Sequence, residues 1–247
     1  MQNKREIVKT KILNYIKKLY QDNIKKLPSE ENMTQTFGVS RVTIRAVLSE
    51  LASEGVITRR QGYGTFISDT VRHLDVQFNP VTSYDKMIEE FGYHESSKIL
   101  TIEVIDDASK KIYHKLHVPK KSKLVYTTRL FFANDTPCVY CTDYFPLSLL
   151  QQQKDTKQIP DFPKSIFSFL SHVSNHKVVK DYTQISTVLA SNHADLSHYF
   201  LNEKTTEKSF LKLACINYDQ NDKPVIYAQE YIDTQFIKFF SVRKKHL

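Results

Sequence analysis

Arg41 and Arg45 stand four residues apart, a spacing that places both on one face of a helix. Ser40 and Thr43 flank them, and Val42, Ile44, Val47, Leu48 and Leu51 read as the apolar stripe of the same helix. Guanidinium and hydroxyl groups are what the base edges of the DNA major groove can pair with. Gln61-Gly62-Tyr63-Gly64 then joins two short β-rich runs, 56–60 and 65–68. Glycines at such a tip permit a tight turn with positive φ and let backbone approach a sugar-phosphate edge closely. Residues 1–68 hold twelve Lys and Arg against six Asp and Glu, so +6 of the chain's +8 sits there. A basic balance confined to one end points to a polyanion as that end's partner. Solvated arginines on an ordinary amphipathic helix would explain Arg41 or Arg45 singly. The combination of helix, turn and glycine-tipped hairpin is what singles out double-stranded DNA.

These groups need a frame. Residues 5–20 carry Ile7, Val8, Ile12, Tyr15, Ile16 and Leu19 at helical spacing. Leu27-Pro28 breaks the pattern, and Ser29 caps a second helix whose first turn holds Glu30 and Glu31, which suits the helix dipole. Gly38 ends it, and Ser40 caps the helix that bears Arg41 and Arg45. The frame predicted for 1–68 is therefore a winged helix-turn-helix, with a linker at 69–80 and a second domain at 81–247. In that domain 82–91, 108–114, 165–172 and 193–200 read as helices. Strands are expected at 99–105, 124–133, 138–145, 178–189, 210–218 and 225–233. Asn134-Asp135-Thr136-Pro137 is a hairpin signal between two of the strands. Strands joined by turns and interrupted by short helices predict an α+β fold built on an antiparallel sheet.

Other chemistries are weaker. Cys138 and Cys141 on a strand diverge to opposite faces, and no second Cys or His pair has zinc-site spacing, so no metal is expected. His172, His176, His193 and His198 are scattered. Five glycines leave little room for a nucleotide-cradling loop, and no cofactor is expected. The three cysteines do not suggest a disulfide scaffold. No apolar run approaches membrane length and the start does not resemble a signal peptide, so the expectation is a cytoplasmic protein with no membrane partner.

From Leu27-Pro28-Ser29-Glu30 through Gly38-Val39-Ser40-Arg41-Val42-Thr43-Ile44-Arg45 and Leu51-Ala52-Ser53-Glu54-Gly55 to Gln61-Gly62-Tyr63-Gly64-Thr65-Phe66, the chain closely resembles the GntR-type winged-helix signature. The resemblance implies operator contacts from Ser40, Arg41, Thr43 and Arg45, with Gln61 and Gly62 at the wing tip. Glu31 stands where the family has a DNA-contacting arginine, and that contact is not carried over.

The second half is similar to the UTRA domain of the HutC-like subfamily, which has a chorismate-lyase-like α/β fold. The similarity runs through Thr82-Ser83-Tyr84, Thr128-Arg129-Leu130, Asp143-Tyr144-Phe145-Pro146 and the stretch from Tyr227 to Phe239. It implies a small-molecule effector held by Ser83, Tyr84, Arg129, Cys141 and Tyr231, with a phosphosugar or other small anion as the expected kind. An arginine and a helix N-terminus are what an anion needs. Against the family pattern, Phe131 replaces a second arginine, Cys141 a glutamate, and Asp85 a threonine. The alternative for Arg129 is a strand-edge arginine in a surface ion pair. The expected protein is a homodimeric, effector-responsive transcriptional regulator, read as a repressor and not an enzyme. A lyase-like enzyme with an accessory DNA-binding domain and a sequence-independent DNA-compacting protein are the alternatives.

Overall fold

A computed structural model of the chain describes residues 4–69, 71, 83–150 and 165–240. The chain divides into two compact units, one within 1–78 together with 239–247, the other within 79–238. Apart from Asp69 and Val71, the stretch read as a linker lies outside the described residues.

The first unit runs α1 (Lys4–Gln21), α2 (Glu30–Phe37), α3 (Arg41–Ser53), β1 (Ile57–Arg60) and β2 (Gly64–Ile67). Its helix starts follow from side-chain caps. Ser29 accepts from the Asn32 N–H and Ser40 from the Thr43 N–H, each satisfying a donor the helix cannot. Gly38, at φ 64°, closes α2 in the left-handed conformation that costs glycine little. Ile12, Ile16, Met33, Ile44, Val47, Leu48, Leu51 and Val56 make the centre of the core. Full burial of each Ile or Leu contributes about 1.5–3 kcal/mol.

Two stripe residues are corrected. Val42 is 78% exposed and Ile7 41% exposed. Val42 precedes Ile44 by two residues, about 200° of helical turn, so it projects away from the core and out beside the arginines. Lys9 bridges Glu50 and Glu54, and Arg5 bridges Glu50, bracing α1 on α3. In the wing, the Leu27 N–H donates to Thr65 O and the Ile67 N–H to Lys25 O, so the segment before α2 supports β2 from its free side.

The second unit runs α4 (Tyr84–Glu90), β3 (Glu95–Ile105), α5 (Lys110–Lys115), β4 (Leu124–Ala133), β5 (Thr136–Pro146), α6 (Ile166–Val173), β6 (Val178–Leu189), α7 (Ala194–Phe200), β7 (Ser209–Asp219) and β8 (Pro224–Ile232). Its six strands form one antiparallel sheet in the order β3-β4-β5-β8-β7-β6. Two three-strand meanders therefore meet at β5 and β8, which are far apart in sequence. Asn134 and Asp135, at φ 47° and 63°, form the two-residue turn of the β4–β5 hairpin.

Register fixes which side chains share a face, because directly paired residues project together. One row crosses the whole sheet: Ile99, Arg129, Cys141, Glu230, Leu213 and Ile185. The neighbouring row on that face includes Thr127, Asp143, Cys215 and Thr183. Tyr84 of α4 reaches this face, its ring 5.5 Å from that of Phe131. The opposite face carries Leu130, Tyr140 and Tyr231, packed with Leu196 and Phe200 of α7. Tyr227 and Ile216, on that same side, pack with Tyr113 and Leu116 around α5.

Candidate functional site

The first cluster is the polar surface of α3 with the wing. Arg41 and Arg45 keep 65% and 64% of their side chains exposed. Ser40 Oγ lies 2.9 Å from Thr43 Oγ1, so the cap and the hydroxyl beside it form one unit. Gln61 and Gly62 are exposed at the hairpin tip, where Gly62 has φ 75°. Six residues read from sequence thus lie on two neighbouring elements of one unit.

Sequence reasoning missed how Glu30 ties that cluster together. Its Oε2 accepts from Arg45 Nε at 3.2 Å and Nη2 at 3.1 Å. Arg41 Nε lies 3.8 Å from the same oxygen, and Arg59 Nη2 of β1 lies 3.8 Å from Oε1. The sequence pattern marks Glu30 only as an acid suited to the helix dipole. One carboxylate holds three arginines from the recognition helix and the wing strand in a single arrangement.

The second cluster sits on the sheet face that α4 overlies. Arg129 is buried on an interior strand, not at an edge, which excludes the surface-pair reading. Its Nη2 donates to Asp143 Oδ2 at 2.9 Å and its Nε at 3.3 Å, and Thr127 Oγ1 donates to the same oxygen at 3.3 Å. Tyr84 donates its hydroxyl to Glu230 Oε2 at 2.5 Å. Burial, reinforced by Asp143, pushes the Glu230 carboxyl up to about 7, against the lowering effect of the Tyr84 hydrogen bond. Cys141 and Cys215 lie beside it, both with thiols raised by burial and by the nearness of Glu230.

Of the residues expected to hold an effector, the structure brings Tyr84, Arg129 and Cys141 together, with Ser83 at the N-cap position of the helix that carries Tyr84 but making no side-chain cap bond. Tyr231 does not join them. It follows Glu230 on β8 and so projects to the other face, where its ring lies 4.8 Å from that of His193. Asp143 and Glu230 were not anticipated. Cys138 and Cys141 diverge as strand alternation requires. Cys138 Sγ donates to Phe131 O at a register shift, while Cys141 lies beside Glu230. Among the described residues no group of three or more His, Cys, Asp or Glu is placed to hold a metal ion. No helix among them is long and apolar enough to cross a membrane.

A capped recognition helix beside a glycine-tipped wing, in a chain with a separate sheet domain, defines a DNA-binding regulator with an appended second domain. Residues 90–238 match the UTRA domain family and residues 6–67 match the family described as "Bacterial regulatory proteins, gntR family". The chain belongs to the UTRA-bearing regulators of the GntR family, and it is a transcriptional regulator with an effector domain.

It is 31% identical over 142 residues to an uncharacterized HTH-type transcriptional regulator, YurK, of Bacillus subtilis, an alignment spanning 54% of this chain and 57% of that protein. It is 24% identical over 220 residues to a probable fructoselysine utilization operon transcriptional repressor of Shigella flexneri, spanning 89% and 86%. Among solved structures, the possible transcriptional regulator YydK of Bacillus subtilis superposes with a TM-score of 0.67 at 17% identity, covering 98% of this chain and 100% of that one. PhnF of Mycobacterium smegmatis superposes with a TM-score of 0.58 at 16% identity, covering 90% and 93%.

Proposed function

We propose that this chain is a cytoplasmic, homodimeric repressor that reads a pseudopalindromic operator and changes its hold on DNA when a small molecule binds the second domain. The observation that carries this reading is the exposed pair Arg41 and Arg45 on a helix capped by Ser40, next to a wing with Gly62 at its tip. Ser40, Arg41, Thr43, Arg45, Gln61 and Gly62 are the operator contacts. Val42, exposed among them, suits a thymine methyl. Ser83, Tyr84, Arg129 and Cys141 line the effector site, joined by Asp143 and Glu230. The DNA-binding domain is assigned to 1–68, the linker to 69–80 and the effector domain to 81–247. The second domain senses and does not turn over substrate. The relatives named as repressors support the sign of regulation. The test is selection of a preferred duplex from a random library, followed by anisotropy titration. Equal affinity for the selected and scrambled duplexes would return the chain to the class of DNA-compacting proteins.

Glu30 gives this reading a sharper test. Glu30→Gln removes the charge that orders Arg45 and offsets three cations. Affinity for a scrambled duplex is expected to rise, with the slope of log K against log salt steepening by about one phosphate contact. Affinity for the selected operator should rise less, so the ratio between the two falls. An unchanged ratio at fixed salt would mean that Glu30 only braces α2.

A two-fold dimer is the usual way for such a monomer to read two half-sites. The lysine-rich α1 is a poor interface. Strand β6, by contrast, is twelve residues long, lies at the sheet edge, and exposes Val179, Tyr182, Ile185 and Leu189. A long apolar edge is a surface that native proteins pair or cover. Ile185→Glu with Tyr182→Glu is expected to convert a dimer to a monomer in sedimentation velocity at micromolar concentration, and to weaken operator binding. A variant that stays dimeric would move the interface off β6.

A further inference from the structure

The guanidinium that would seat an anion is already paired with a carboxylate of the chain itself, and a second carboxylate stands at the start of α4. The Arg129 guanidinium gives two donors to Asp143, which is 2% exposed and held in place by Thr127 as well. Asp85 lies in the first turn of α4, a helix of seven residues. Asp85 Oδ1 is buried and has no hydrogen-bond partner among the described residues. A further acid, Glu230, stands in the row that joins Arg129 to Cys141, and Phe131 is the next residue on that face of β4.

Taking Arg129, Asp143 and Glu230 together, the cluster is neutral when Glu230 is protonated and carries −1 when it is ionised. A phosphate brought here would meet one guanidinium that is already neutralised and would stand beside two carboxylates. A protonated amine would find Glu230 as an acceptor beside the ring of Tyr84, while the Phe131 ring packs on Tyr84 and already carries the Arg129 guanidinium over it at 5.4 Å.

We propose that the effector of this protein carries an ammonium group, which pairs with Glu230, and that the site rejects phosphate esters. The inference rests on the placement of the effector site given above and replaces the small anion expected from sequence. The groups facing Glu230 are Tyr84 from α4, Arg129 from β4, Cys141 and Asp143 from β5, Cys215 from β7 and Asp181 from β6. Apart from Arg129, each is an acid or a neutral donor.

Because an ammonium pairs with the ionised carboxylate, its binding releases the proton that Glu230 holds below about 7. For an amine that stays protonated through pH 8, such as putrescine, affinity should therefore rise about tenfold between pH 6 and pH 8. A ligand bound through its negative charge would lose affinity over the same range.

The experiment uses the full chain in scanning fluorimetry, followed by calorimetry. One panel holds primary amines, including glucosamine, putrescine and amino-acid amides. A matched panel holds phosphate monoesters, including glucose 6-phosphate. The expected result is stabilisation by members of the amine panel only, with the pH trend above. Glu230→Gln should abolish it while leaving the probe-free Tm within a few degrees. A phosphate ester that stabilises the wild-type chain, and binds tighter to Glu230→Gln, would overturn the ammonium assignment and leave the site where it is. An amine or phosphate ester whose binding is indifferent to Glu230→Gln would show that the site itself is misplaced. Stabilisation by no amine would also overturn the assignment.

Discussion

Arg129→Ala is expected to destabilise the second domain by about 3–5 kcal/mol, because it strands Asp143 in the interior without its counter-charge. Asp143 is 2% exposed, and among the described residues Thr127 Oγ1 at 3.3 Å is the remaining side-chain donor to it. The double variant Arg129→Met with Asp143→Val removes both charges and changes the total volume little, so it should lie within about 1–2 kcal/mol of the wild type. Urea unfolding of the three proteins, followed by tryptophan-independent far-UV dichroism since the chain has no Trp, makes the comparison. Equal losses in single and double variants would mean that packing, not charge pairing, holds this part of the sheet. The result also bears on any test of the switch. An Arg129→Ala protein that fails to respond to effector has first to be shown folded, and Glu230→Gln is the cleaner probe.

The second large effect lies on the DNA. Arg45→Ala is expected to cost about 1–3 kcal/mol of affinity for the selected operator if Arg45 pairs two-fold with a guanine. That is roughly 5- to 150-fold in Kd. Arg41→Ala should behave similarly, though Arg41 is held less closely by Glu30, at 3.8 Å against 3.1 Å for Arg45. Both should relax discrimination at one base pair and leave the effector affinity of the second domain unchanged. Thermal unfolding should change little, since both side chains are largely exposed and surface ion pairs contribute about 0–1 kcal/mol. Unchanged affinity and specificity in both variants at constant salt would remove α3 from the role of reading helix.

Much of this was legible in the residues because local chemistry decides it. Ser29 and Ser40 announce helix starts, and each accepts a backbone N–H in the way the sequence suggests. Asn134-Asp135 turns the chain because both residues tolerate positive φ. Val178–Leu189 is a strand over the range its β-branched residues mark.

What was not legible depends on partners remote in the chain. The acidic character of the second site needs Glu230 opposite Cys141, a pairing between strands β8 and β5 that no local pattern specifies. Tyr231 was placed in the site and Glu230 left out. A one-residue difference on a strand exchanges the two faces, and only the register decides it. Glu30 escaped for a related reason. Its partners Arg45 and Arg59 lie 15 and 29 positions away, reached by the turn between helices and by the wing. Val42 failed the simplest count, because an apolar residue near a stripe is easily assigned to it before the helical phase is fixed by the core.

The distribution of thiols gives the molecule a built-in stopwatch. Cys138, Cys141 and Cys215 are all buried and unbridged, and residues 1–78 contain no cysteine. Burial pushes the Cys138 thiol up to about 12 and Cys141 and Cys215 higher than their ordinary range, so the native sheet offers almost no thiolate to an alkylating reagent. Labelling then proceeds only in the fraction of time that the sheet is open, at a rate set by the opening equilibrium. A quenched alkylation series read by mass would thus time the breathing of the second domain alone, with the DNA-binding unit silent, and a bound effector would register as a slower tick.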